Sequence, residues 1–188
     1  MATDIRLPME LVKTMQNDCH EIRLSQRVIR HEATYSAAET QGVLPTDCLV
    51  QKSVTGLLGD KIVLWTGVSD YEITRHEQHT AAHLLGLSHT SDHTLNPSII
   101  DPLGFYGMAE GMVSPFLVPG SPAASELAAV CVLSWPQEWE HAHSVAISLS
   151  LHESLVIPLA GLHRLLDIYL ERTFPRLPVL RIEREASL

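Results

Sequence analysis

Hydrophobic spacing along the chain switches repeatedly between helical and extended periods. Residues 8–20 place Met9, Val12 and Met15 on one side of a first helix, and Arg27 to His31 is a short strand candidate. Ser36 to Gln41 reads as a helix stopped at Gly42, with Pro45 just beyond. Cys48 to Thr55 and Lys61 to Thr66 form a hairpin joined through Gly56, Gly59 and Asp60. A helix over Tyr71 to Leu85 ends on Gly86, and a Gly- and Pro-rich region from Asp101 to Gly120 follows, flanked by short extended pieces. Val130 to Leu133 and Val145 to Leu151 are the next strands, the second running into a closing helix over Leu159 to Glu171. That helix turns Leu162, Leu165, Leu166 and Tyr169 inward. The tail from Pro175 to Arg184 alternates apolar and charged residues, which suits an edge strand or an arm on the second subunit of a homodimer. Interleaved strands, hairpins and helices predict one α+β (mixed α/β) domain around a mixed sheet.

Composition narrows the range of partners. With 188 residues, 45% of them hydrophobic, the chain can bury one sizeable core. Its formal charge of −9 excludes a protein that grips nucleic acid by bulk electrostatics, so DNA is not an expected partner, and any RNA contact must be local or shared. Cys19, Cys48 and Cys131 lie far apart without a CxxC pair, the pattern of reduced buried thiols rather than of a disulfide framework or thiolate zinc site. Asp4, Arg6 and Pro8 interrupt the segment where a signal peptide would need an apolar run. The most apolar stretch, Val145 to Leu162, is broken by His152, Glu153 and Pro158 and reads as a buried strand leading into a helix, not a membrane span. A cytoplasmic protein with no membrane partner is the expectation.

The order of landmarks between Ser36 and Pro115 is more specific than any one of them. The Ala-rich "YSAAETQGV" precedes "CLVQKSV", a strand with the single lysine Lys52, and the hairpin return "DKIVLW". The helix ending "AAHLLGL" follows, and then "GMAEGMVSPF", Gly107 to Phe116. This order resembles the YbaK and prolyl-tRNA-synthetase-associated domain family, whose members hydrolyse wrongly charged aminoacyl-tRNAs. The likeness runs from about Val28 to about Leu170 and implies a curved mixed sheet with surrounding helices. On it, residues 1–27 are a helical lead-in, 28–172 the editing domain and 173–188 an extended tail. In that family a strand lysine faces a GxxxP loop; the matching residues here are Lys52, Gly111, Ser114 and Pro115. Three positions depart from the family pattern: Met112 follows the loop glycine, Ser134 stands where an aspartate is usual, and "ISLSLHESLVIPL" lacks a glycine.

The resemblance implies a trans-acting deacylase that removes a small mischarged amino acid from the tRNA acceptor end, alone or with a synthetase. Hydrolysis of an activated ester needs a positioned water, donors for the developing oxyanion and a selective cavity. Lys52 and Gly111 would carry the chemistry, with Ser53, Met112, Val113, Ser114 and Pro115 contacting substrate and no cofactor required. Because Gly111 carries no Cβ, backbone N–H groups there could approach the ester carbonyl closely. Ser114 lacks a G-x-S-x-G setting and reads as structural rather than nucleophilic. His76, His79 and His83 share a helical stripe opposite Ile73, Ala81, Leu84 and Leu85; an exposed polar face is favoured over a metal site, because neither HExxH nor a third-ligand motif accompanies them. His141, His143 and His152 are read as surface or strand-end residues that lie nearer the region completing the family's pocket. Two alternatives stay open: a module that keeps the fold and binds tRNA, an aminoacyl group or a synthetase without turnover, and a metal-dependent hydrolase using the helix histidines.

Overall fold

The computed structural model describes residues 6–68, 72–87, 93–94, 100–109, 111–136, 139 and 143–183. The chain begins with α1 (Met9–Glu21), β1 (Arg27–Arg30) and α2 (Ala37–Val43), then the hairpin β2 (Cys48–Leu58) and β3 (Lys61–Val68). Helix α3 (Arg75–Leu84), the two-residue β4 (His93–Thr94) and the short helices α4 (Pro102–Tyr106) and α5 (Ala123–Glu126) come next. Strands β5 (Ala129–Leu133), β6 (Ser144–Ser148) and β7 (Glu153–Pro158) precede the closing helix α6 (Leu162–Thr173) and β8 (Val179–Ile182). Together they make the single mixed α/β domain expected.

The strands lie in the order β1–β7–β6–β2–β3–β5–β8, with β4 added to β2. The β2–β6, β3–β5 and β5–β8 pairs are parallel and the others antiparallel, so the sheet is mixed. β2 is its pivot. Its first residues, Cys48 to Val50, pair with β6, whereas Gln51 to Leu58 pair with β3. On the side away from β3, Leu57 and Leu58 meet β4. Among the described residues no strand covers that edge from 51 to 56, and the sheet is split there.

The main core lies between this sheet and the α1–α6 pair. Leu11, Met15 and Cys19 are buried on α1, and Leu162, Leu165, Leu166, Tyr169 and Leu170 on α6, as i, i+3, i+4 spacing requires. Met9 is 63% exposed, so the buried stripe of α1 is rotated from the expected Met9–Val12–Met15 side. Arg172 on α6 donates to Asp18 Oδ1 and, at 2.9 Å, to Glu21 Oε2 on α1. A second core joins α3 through Ala81 and Ala82 to Trp65, Cys131 and Ile182.

Several expected boundaries shift for identifiable reasons. Gly56 lies inside β2 opposite Val63, and the hairpin turns only at Gly59 and Asp60. Gly42 falls within the last turn of α2 rather than ending it. Helix α3 starts at Arg75 because Thr74 and Glu77 form a reciprocal capping box; the expected start, Tyr71, lies outside the described residues. Leu84 is 53% exposed, so it does not belong to the buried face of that helix. The start of the Asp101 region is the helix α4, capped by the Asp101 carboxylate. The apolar stretch 145–162 holds two antiparallel strands, β6 and β7, before α6. The alternating tail forms the edge strand β8 beside β5. Among the described residues no helix is long and apolar enough to cross a membrane.

Candidate functional site

The split in the sheet opens a cleft of about 270 Å³. Gln51 to Thr55 of β2 form one wall; Tyr35 to Ala37, Ile100, Pro102, Gly111 and Val113 form the rest. Successive strand residues point to opposite faces. Lys52 and Val54 stand opposite Gly67 and Trp65 on the α3 side, while Gln51, Ser53 and Thr55 stand opposite Val68, Thr66 and Leu64. Since both sets line the cleft, it straddles the free edge of β2 rather than lying on one face of the sheet.

Lys52, Ser53, Gly111 and Val113 therefore share one cavity, although they come from segments about sixty residues apart. Lys52 is exposed and has no ion-pair partner among the described residues. Met112 is 2% exposed, packs in the main core and does not line the cleft. Ser114 is also buried; its Oγ accepts a hydrogen bond from the Phe116 N–H at 3.4 Å. Pro115 borders a separate, very small hollow with Gln51, Thr66 and Trp135. Neither Ser134, whose N–H donates to Ile182 O, nor any residue of 147–159 reaches the cleft, so none of the three departures noted in the sequence alters its lining.

Gly111 has φ +80°, and its missing side chain is filled by the chain itself. A Cβ there would lie 2.3 Å from Tyr35 O and 2.7 Å from Tyr35 C. The glycine thus locks the loop against the Tyr35–Ser36 backbone, a packing role not anticipated from the sequence. The opposing segment is fixed from its other side as well: the Tyr35 N–H donates to Glu39 Oε2 at 2.7 Å, and Ser36 Oγ caps α2. Tyr35 itself is 58% exposed at the cleft. Sequence reasoning missed it, and an aromatic residue just before an N-cap serine was the available signal.

Polar groups on the inner face of β2 are bonded to one another. Gln51 Nε2 donates to Ser53 Oγ at 2.6 Å and to Thr66 Oγ1 at 2.9 Å. Thr55 Oγ1 and Tyr106 OH lie 2.7 Å apart, and burial pushes the Tyr106 phenol up to about 12 against the opposing effect of Thr55. It stays protonated at neutral pH. Tyr106→Phe is expected to cost about 1–2 kcal/mol, because it strands a buried threonine hydroxyl. Adding Thr55→Val should recover most of that loss, which urea unfolding of the single and double variants would measure; an unrecovered loss would mean that the pair matters through packing instead.

The described lining contains no carboxylate, histidine or cysteine. It offers an ammonium group, hydroxyls, a side-chain amide and strand-edge backbone, so it can hold and polarise a ligand. His76, His79 and His83 are exposed on α3 and do not line this cleft; His143 and His152 border other hollows, and His141 lies outside the described residues. Among the described residues no group of three His, Cys, Asp or Glu is placed to hold a metal ion.

No protein-family model matches the chain, and comparison with curated proteins finds no match. Solved structures do match in shape. The crystal structure of a candidate trans-editing enzyme for prolyl-tRNA synthetase aligns with a TM-score of 0.51 at 13% identity, over 95% of this chain and 100% of that one. A structure from computational backbone grafting of linear epitopes onto scaffold proteins aligns at 0.49 and 13% identity, over 97% and 100% of the two chains. The first likeness defines the class: this is a single mixed α/β domain with the fold of that editing-enzyme structure.

Proposed function

We propose that the cleft hydrolyses the ester of a wrongly charged aminoacyl-tRNA in trans, releasing a small amino acid, in the cytoplasm where tRNA is charged. The observation that carries this reading is the presence of Lys52 and Gly111 on the walls of one cleft, in a fold like that of a candidate trans-editing enzyme. The volume favours a small acyl group: about 270 Å³ is below the roughly 300–1,000 Å³ of typical small-molecule sites. Because the ester is already activated, water held near fixed donors suffices, and the lack of a carboxylate or histidine in the described lining does not count against it. Lys52 would bind a phosphate or the terminal ribose, and backbone amides of the uncovered β2 edge or the Gly111 turn would meet the developing oxyanion. Ser53 and Val113 would contact the acyl group.

A panel of mischarged tRNAs incubated with the native protein tests the reading. Turnover of at least one small aminoacyl species is expected, and Lys52→Ala should raise KM about tenfold or more, the loss of one charge-assisted contact. Saturable binding of tRNA with no turnover of any species would instead establish a binding module that retains the fold.

A further inference from the structure

The polar row on the inner face of β2 has a direction. Gln51 Nε2 donates to Ser53 Oγ at 2.6 Å and to Thr66 Oγ1 at 2.9 Å; Ser53 Oγ donates to Thr66 Oγ1 at 3.2 Å, and Thr66 Oγ1 to Lys52 O at 3.4 Å. Two amide hydrogens and two hydroxyl hydrogens thus serve four contacts, one each. A reversed amide would leave only the two hydroxyl hydrogens for the same four contacts, so the surroundings satisfy the orientation shown and not its opposite.

With these hydrogens committed, the row can only accept. Ser53 lines the cleft, and its Oγ receives one bond and keeps a second lone pair. Gln51 Oε1 receives no bond among the described residues and is not one of their sealed, unpaired polar atoms, so it is open. Gln51 borders both the cleft and the small hollow behind it, which at about 10 Å³ holds no more than one water; a ligand meets this oxygen from the cleft. Thr66 is 3% exposed and borders that hollow but not the cleft, so it directs the Ser53 hydrogen from behind. Thr55 stands apart, paired with the Tyr106 phenol.

The only formal charge in the described lining is the Lys52 ammonium, on a strand position whose side chain leaves the opposite face of β2. A second cation cannot be held beside Lys52, and the described lining has no carboxylate to receive one. Neutral acceptors on the other face are its remaining complement, and hydrogen bonds from a charged donor are the stronger kind. In an aminoacyl group with a hydrocarbon side chain, the α-ammonium is the sole donor.

We infer that Gln51 Oε1 and Ser53 Oγ receive the α-ammonium of the acyl group, so the cleft takes esters with a free α-amino group and rejects acyl groups that lack it or carry it blocked. The inference rests on the reading of the cleft as an aminoacyl-ester site, and its test separates the two. Thr66 is a positioning residue: by accepting the Ser53 hydrogen it keeps that hydroxyl an acceptor toward the ligand.

Calorimetric binding of two adenosine analogues provides the test. One carries alanine and the other isobutyrate, each in amide linkage to a 3′-amino group, so that neither is hydrolysed and the two differ only by ammonium against methyl. The native protein should prefer the alanyl analogue by about tenfold or more. Ser53→Ala and Thr66→Val should each reduce that preference to about threefold or less, with isobutyryl binding kept within about twofold of native, and Thr66→Ser should restore it. Equal binding of the two analogues by the native protein would overturn the inference, as would no saturable binding of the alanyl analogue. Parallel loss of both analogues in Thr66→Val would overturn it too, by showing that the row acts through packing. Equal alanyl and isobutyryl binding with a Ser53-dependent preference for a seryl analogue would overturn it in favour of a side-chain hydroxyl subsite. Preference for the alanyl analogue without turnover of the alanyl ester of adenosine or of tRNA would refute the deacylase reading and leave the ammonium site standing. Hydrolysis of alanyl and isobutyryl esters with the same KM would do the reverse.

Discussion

Gly111→Ala is expected to destabilise the protein by about 3 kcal/mol or more, combining left-handed backbone strain of about 1–2 kcal/mol with an overpacking cost of about 1–3 kcal/mol. The clash is with backbone. The new methyl would meet Tyr35 O at 2.3 Å, and Ser36 N is 3.3 Å away, so no side chain can rotate aside to relieve it. Relief requires separating the Gly111 loop from the 35–36 segment, and these two adjoin in the lining of the cleft. Loss of stability and loss of ligand binding should therefore appear together. Two other glycines separate the contributions. Gly86 has φ +69° with nothing within 4 Å of a built Cβ, so Gly86→Ala should show the strain alone. Gly42 has open space and lies in α2, where alanine is the better helix former, so Gly42→Ala should be neutral or stabilising by up to about 1 kcal/mol. Calorimetry would rank the three, with a fall in Tm for Gly111→Ala of roughly 6–12 °C, at about 2–4 °C per kcal/mol for this size. A Gly111→Ala variant that melts with Gly86→Ala would show that the loop yields freely and that the cleft walls are not locked.

The same glycine shows how far the sequence could be read. Its place in a GxxxP loop after a strand lysine was legible as an ordered motif, and both residues line one cleft. What it packs against was not legible, because contact with Tyr35 depends on where the chain folds back across about seventy-five residues. The fold class followed from period switching, and the stripe Leu162, Leu165, Leu166 and Tyr169 is buried as its spacing required. β7 was hidden for a physical reason. Its interior residues are all buried, so it shows no alternation, and the turn from β6 uses neither Gly nor Pro. Leu149 and Ser150 N–H groups both donate to Glu153 O, and Ser150 Oγ accepts from His152 N–H, a serine turn inside an apolar run. The start of α3 was within reach, since Thr74-x-x-Glu77 is a capping-box signature. The free edge of β2 was not, because strand pairing between distant segments decides which edge stays uncovered.

Acid should weaken the protein through one imidazole that does not line the cleft. His163 on α6 stacks on Trp135, ring centroids 4.0 Å apart, and its Nε2 is buried with no partner among the described residues. Burial, reinforced by the Arg181 guanidinium and opposed by Asp167, lowers its pKa from 6.5 to about 4. Asp167 is itself engaged by Arg181, at 2.6 and 2.5 Å, which limits its help to an imidazolium. The unfolded chain therefore takes up a proton as pH falls through 6.5, and the folded chain does so only near 4. Within that window the unfolded state binds more protons, so stability falls as pH falls; above it the contribution is fully present, and below it no more is lost. The gap corresponds to on the order of 3 kcal/mol. His163→Phe keeps an aromatic face against Trp135 and removes the titration. Carboxylates that protonate toward pH 4 act in both proteins, so the difference between their urea midpoints at pH 7, 5.5 and 4 isolates the histidine. The midpoint of the native protein should fall more steeply than that of the variant between pH 6.5 and 4, and the curves should run parallel above pH 7. Parallel curves across the whole range would mean that the ring opens to water readily enough to be protonated in place, and that the Trp135 stack is not a closed contact.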